Sequence, residues 1–245
     1  MAIDLAKMRE RLQAAQNKGG GDNTFWRPSD GEQSIRIVPT PDGDPFKDYW
    51  FHYNVGNNPG FLSPKKNFGE DDPLNDFVRQ LYKDGSEDSI KMAKNLSARQ
   101  RFFAPVIVRG EEDQGVRLWG FGKTAYRELL GLVLNPEYGD ITDVTEGTDL
   151  TIQYGKPPGA QFPQTSITPR RKPSPLAGSE AEISAFLDQI PDFTEVFERK
   201  TPQQVQNMLD EFLLGESDAE EMSAETTKYN GAQSSIDQAF NELMG

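Results

Sequence analysis

A chain of 245 residues with 35% hydrophobic content can bury one modest core, which would not extend over its whole length. It has no cysteine, which excludes disulfides, cysteine-based zinc sites and thiol nucleophiles and fits a reducing cytosol; no apolar run is long enough to span a membrane. The formal net charge of −13 is unevenly spread: Leu176–Gly245 holds 15 Asp+Glu against 3 Lys+Arg, whereas Ser89–Arg127 holds 8 bases against 3 acids. A basic middle is thus followed by a strongly acidic end that can compete for it electrostatically, in a salt-dependent way.

In chain order, Ile3, Leu5, Met8 and Leu12 in "IDLAKMRERLQAAQ" are spaced for one face of a short helix. The N-terminus carries acid and lacks an apolar h-region, so no secretory signal is expected. "NKGGGDN" ends the helix in a hinge, which makes residues 1–19 an arm with the bases Lys7, Arg9 and Arg11. "SIRIVPT" at 34–40 reads as a strand stopped by Pro39 and Pro41, and "FKDYWFHYNV" at 46–55 as a second. Residues 56–75 read as a long loop, and "DFVRQLYKDGSEDSIKMAKNLSARQ" as helical, with Phe77, Val78, Leu81 and Tyr82 on one side.

"RFFAPVIV" and "GVRLWGFG" read as a hairpin joined by the polar "RGEEDQ", followed by a helix "KTAYRELLGLVL" that Asn135-Pro136 stops. "TDLTIQYG" is a further strand, and the Pro-rich "KPPGAQFPQTSITPRRKPSP" follows it. Two helices come next: one opens on the capping box Ser179–Glu182, the other on Thr201 with Pro202 at its first position. Residues 216–245 are polar and acidic, and are read as a flexible tail. In that tail Ile236, Phe240 and Leu243 at i, i+4 and i+7 form a docking segment. Short strands interrupted by helices and long loops predict a mainly β, α+β chain. Its core over 20–215 is expected to be an OB-fold five-stranded barrel with C-terminal helices and the acidic tail.

Catalytic signatures are sparse. The one histidine is His52, and neither a G-x-S-x-G elbow nor a P-loop is present. "GFGKT" at 120–124 lacks the P-loop spacer and reads as a strand ending at a glycine bend, with Lys123 opening a helix. Two acidic clusters resemble two-metal nuclease sites: Glu70, Asp71, Asp72 and Asp76 in one, Asp192 and Glu198 with Lys200 in the other. The second falls in a helical segment that lacks the paired-strand geometry. His52 reads as a half-buried strand residue; no metal, cofactor or enzymatic activity is expected. A metal-dependent nuclease using 70–76, or a structural or assembly protein with no nucleic-acid role, stand as the alternatives.

Single-strand binders combine a basic groove with aromatic faces, each stacked base contributing about 1–3 kcal/mol. The hairpin offers Arg99, Arg101, Phe102 and Phe103 on one strand and Arg117, Trp119, Phe121 and Lys123 on or beyond the other. Strand alternation puts Phe102 and Phe103 on opposite faces, one a base platform and the other a core residue. Ordinary core aromatics with exposed bases are the competing reading.

In this order, "IRIVPT", "RQRFFAPVIV…GVRLWGFGKTAYREL" and the acidic, helix-ending C-terminus resemble the single-stranded DNA-binding (helix-destabilising) proteins of T-even-type tailed phages, over roughly residues 5–245. The resemblance implies an OB core that binds single-stranded DNA non-specifically. It also implies an arm for cooperative self-association along DNA and a tail that recruits replication and recombination proteins. The function implied is to coat and protect single strands in phage DNA replication, recombination and repair, in the cytoplasm of the infected host cell. By position, Arg99, Arg101, Phe102, Phe103 and Trp119 fall where the family's DNA contacts lie, and Phe162, Arg170 and Arg171 lie in a later contact loop. Family members commonly carry a zinc subdomain with one His and three Cys. Here His52 stands near the His position, but "EDDPLND" replaces the C-P-x-C pair. No structural zinc is expected, and packing of Phe61, Phe68, Leu74 and Phe77 is expected to hold the loop.

Overall fold

A computed structural model of the chain describes residues 24–214 apart from 57 and 59. The arm bases Lys7, Arg9 and Arg11 and the docking residues Ile236, Phe240 and Leu243 lie outside the described residues. The strands are β1 Phe25–Trp26, β2 Gly31–Ile37, β3 Lys47–His52, β4 Phe61–Leu62, β5 Arg99–Val108, β6 Arg117–Phe121, β7 Leu150–Gly155 and β8 Gln164–Pro169. The helices are α1 Pro64–Phe68, α2 Pro73–Asp84, α3 Glu87–Leu96, α4 Lys123–Val133, α5 Glu180–Asp188, α6 Phe193–Val196 and α7 over 202–214. The class is mixed α/β. The described residues form two compact units: 24–49 with Gln100–Val196, and Trp50–Arg99 with 197–214.

The sheet follows the path β1-β6-β5-β2-β7-β8, with β3 pairing β5 and β4 off that path. Its ends, β1 and β8, are not paired with each other, so the sheet is open and the expected five-stranded barrel closure is not among its pairings. β8 pairs with β7 in a full hairpin register; Gln164, Ser166 and Thr168 on one face are exposed, while Ile167 on the other packs against the core. β1 has only two residues.

In the first unit β5 is buried from Phe102 to Val108, and the period of two sorts its side chains. Phe102, Ala104, Val106 and Val108 enter the main core with Ile35, Ile37, Trp119, Leu129 and Leu150. Ile107 faces the other way, toward Val38, Val116 and Leu176. Such a run is buried on both faces, which is why it reads as continuously apolar.

A buried ionic network ties this unit together. Arg36, fully buried on β2, donates from Nε to Asp149 Oδ1 at 2.9 Å, from Nη1 to the Asp143 carbonyl, and from Nη2 to Ser174. Arg109 donates to the same carboxylate through Nε and Nη2 at 3.0–3.2 Å, and reaches the Pro175 and Leu176 carbonyls. Burial raises the Asp149 pKa, but hydrogen bonds and charge from Arg109 and Arg36 reverse this and hold it below the ordinary carboxylate value. A Cβ at Gly147 would collide with the Arg36 guanidinium and the Asp143 carbonyl. Gly147→Ala is therefore expected to destabilise by about 1–3 kcal/mol, read as a lower urea midpoint.

In the second unit the segment read as one helix is two. Gly85, at φ 76°, ends α2, and the Ser86 side chain caps α3 by accepting from Ser89 N–H. The loop read over 56–75 contains β4 and α1. Leu74, Val78, Ala93 and Leu96 form a core with Val55 and Phe61, and Val205 and Leu209 of α7 complete it. Thr201 and Gln204 form a reciprocal cap at the start of α7, with Thr201 N–H donating to Gln204 Oε1 at 2.8 Å and Gln204 N–H to Thr201 Oγ1 at 3.3 Å.

Candidate nucleic-acid interface

The β5–β6 register sets Phe102 opposite Phe121, Phe103 opposite Gly120 and Ala104 opposite Trp119. The expected alternation holds, with an unexpected result. Phe102 stacks on Tyr126 at 3.9 Å in the main core. Phe103 points the other way, between Phe25 at 6.2 Å and Tyr49 at 6.3 Å, above Gly120, where a Cβ would come within 2.9 Å of its ring. Exposure is 5% for Phe102, 6% for Phe103, 1% for Trp119 and 3% for Phe121. All four rings are buried, Phe103 as well as Phe102, and their faces are taken up by packing on both sides of the sheet. Arg117 is also buried, and its Nη2 donates to Glu111 Oε2 at 2.6 Å, so its charge is neutralised locally. The rings that cover Phe103, Phe25 and Tyr49, are themselves half-buried. Burial, then the charges of Asp192 and Asp48, push the Tyr49 hydroxyl pKa up.

The other candidates are exposed or half-buried. Arg101 is half-buried; its Nη2 donates to the Gly120 carbonyl at 3.2 Å, and its Nη1 lies 3.9 Å from where a Gly122 Cβ would be. Gly122 caps α4, whose first residue Lys123 is exposed, as is Arg127 one turn later. This helix packs along β8. Just past β8, Arg170 and Arg171 are exposed, the first anchored by its N–H to the Asp149 carbonyl at 2.9 Å. Phe162, 68% exposed, sits in the turn between β7 and β8, about 25 Å along the extended chain from Arg170. In the second unit, Arg99 is exposed at the start of β5. Among the described residues no carboxylate pairs with Arg99, Arg101, Lys123, Arg170 or Arg171. The sequence reading missed Arg127, Lys156 and Lys172, which are equally exposed; a bare count of bases flanking the named ones would have found them.

Of the 70–76 acids, Asp72 is committed to structure, while Asp71 and Asp76 are exposed. Asp72, buried, accepts from Ser63 Oγ at 2.5 Å and from the Asn75 N–H at 3.1 Å as the cap of α2, and faces His52 Nε2 at 3.2 Å. His52 Nδ1 lies 2.8 Å from the Leu96 carbonyl, so both ring nitrogens face acceptors. Burial raises the Asp72 pKa, but hydrogen bonds from His52 and Ser63 outweigh it and leave it below the ordinary value. Glu70 pairs with Arg199 at 2.6 Å, Glu198 with Lys200 at 2.8 Å, and Asp76 lies 3.7 Å from Arg79. Among the described residues no three His, Cys, Asp or Glu are grouped to hold a metal ion. The loop is held by this polar network as well as by apolar packing. Phe61 and Leu74 are core and Phe77 packs against it, whereas Phe68 is exposed under the Arg199 guanidinium, 3.8 Å from its ring.

No family model matches the chain, and no curated protein is significantly similar to it. The phage-protein resemblance rests on the motifs in the sequence alone.

Proposed function

We propose that the protein is a non-specific, cooperative single-stranded DNA-binding protein that coats and protects strands in phage DNA replication, recombination and repair. It acts stoichiometrically in the infected cell's cytoplasm and recruits replication and recombination proteins through its acidic 216–245 segment. The observation that carries this reading is the set of unneutralised cations, Arg99, Arg101, Lys123, Arg170 and Arg171, in a chain of net charge −13. Acids outnumber bases, yet these five are left without a carboxylate while Arg36, Arg109 and Arg117 are paired. Cations held open in this way suit phosphate contacts, and the exposed Phe162 ring suits a stacked base. Binding the unpaired state removes hairpins by mass action. An OB-type organisation of the first unit belongs to the same proposal, supported by its antiparallel strands with a doubly covered centre. The nuclease alternative gains no support, since Asp72 is buried and occupied.

The test is fluorescence anisotropy of labelled oligo(dT) across a salt series. Affinity is expected to fall with log[salt] at a slope of about −0.7 per neutralised phosphate. An Arg170→Ala/Arg171→Ala double variant is expected to flatten that slope by roughly 1.4. No binding by the intact chain at low salt would overturn the proposal.

A further inference from the structure

The second unit contains a concavity of about 470 Å³, in the size range of small-ligand pockets. Trp50, Tyr82, Lys65, Lys66, Arg79 and Asn75 are among the ten residues that line it, and none of the ten is acidic. That bias is notable in a chain whose acids outnumber its bases 39 to 26.

The backbone of Trp50 is firmly placed. Its backbone N–H donates to Asn67 Oδ1 at 2.9 Å, and its carbonyl accepts from Asn67 Nδ2 and from the Ser63 N–H, each at 2.8 Å. Ser63 is itself held by the buried Asp72. The attachment point of the ring is therefore set by α1 and its capping turn. The cations around it are not fixed in the same way. Lys66 Nζ rests over the Trp50 ring, 5.4 Å from its centroid, on an exposed, flexible side chain. Arg79 is exposed, and its nearest carboxylate oxygen, on Asp76, is 3.7 Å away. Tyr82, 48% exposed, adds a second ring. A half-buried aromatic ring with exposed ammonium and guanidinium groups beside it is complementary to a planar base carrying a phosphate. The base can take the position over the indole that Lys66 occupies, and Lys66 can move to the phosphate. Arg99 follows Ala98, which lines the cavity, and supplies a further cation one residue beyond it.

We propose that this concavity binds one nucleotide of a single DNA strand, its base on Trp50 and its phosphate on Lys65, Lys66 and Arg79. The proposal rests on the single-strand-binding reading. It also supplies that reading with an accessible ring, which the β5–β6 hairpin does not. Trp26 and Trp119 are buried in the first unit, whereas Trp50 is half-buried, so Trp50 is the tryptophan that a strand can reach.

The experiment follows oligo(dT) binding by anisotropy and by intrinsic tryptophan fluorescence in the intact chain, in Trp50→Phe and in Lys66→Ala/Arg79→Ala, with melting curves confirming that each variant folds. Strand binding is expected to quench the intact chain. Trp50→Phe is expected to bind the strand with the quenching lost, and the double variant to flatten the salt slope by roughly 1.4. Trp50→Ala is expected to weaken binding by roughly 5- to 150-fold. Undiminished quenching in Trp50→Phe, with binding seen by anisotropy, would overturn the pocket and leave the single-strand reading standing. No anisotropy change in the intact chain would overturn both. A parallel titration with dTMP separates a strand from a free nucleotide: quenching by dTMP at the same nucleotide concentration as by oligo(dT) would overturn the assignment to a strand.

Discussion

Replacing Asp149 with alanine is expected to lower the unfolding free energy by about 3–5 kcal/mol, read from urea titrations followed by circular dichroism. The size follows from what is left behind. Arg36 is fully buried on β2, and its Nε has Asp149 as its acceptor. Arg109 directs two of its nitrogens at the same carboxylate. Without it, one fully buried guanidinium and one largely buried one keep their positive charges and retain only neutral acceptors, Ser174, Asp143, Pro175 and Leu176. Removing one arginine instead leaves the acid with a partner, so Arg109→Ala is expected to cost less than Asp149→Ala. Equal losses in the two variants would show that the acid is not the hub of the network.

Asp72→Ala is expected to cost about 2–4 kcal/mol, because it orphans several groups at once. His52 Nε2, the Ser63 hydroxyl and the Asn75 N–H at the start of α2 all lose an acceptor. Thermal melts give the loss, and an unchanged melting temperature would refute the network's role. Asp72 and Asp149 also set the acid limb of stability. Both carboxyls have folded pKa values below their ordinary values, so their contribution is complete above about pH 4 and disappears as pH falls through the folded values. Asp149→Asn, which has no proton to gain there, is expected to show a shallower loss of stability below pH 4 than the parent chain.

What was legible in the sequence was local. The alternation that separates Phe102 from Phe103 is a property of one strand, and the caps at Ser179 and Thr201 are properties of four residues each. What was not legible depends on distant partners. Phe103 is buried because Phe25 and Tyr49, from β1 and β3, lie against it, and nothing near residue 103 records them. Arg36 meets Asp149 across 113 positions, so its motif alone did not reveal a buried ion pair. β8 hid in a Pro-rich stretch whose polar residues suit an exposed edge and give little apolar signal. The Trp50 concavity draws its lining from residues 50 to 98, with no common spacing, so no motif marks it. The acids of "EDDPLND" and the lack of cysteine were visible in the sequence. That one of those acids would be turned inward onto His52 was not.

The chain leaves the first unit after Tyr49, returns at Gln100 and leaves again after Val196, and this path imposes a timetable on synthesis. Leu74, Val78 and Leu96 leave the ribosome early, but Val205 and Leu209, which complete their core, come roughly 100 residues later. At about 5–20 residues per second the delay is on the order of 5–20 s. Through that interval the second unit lacks the two α7 side chains that complete its core.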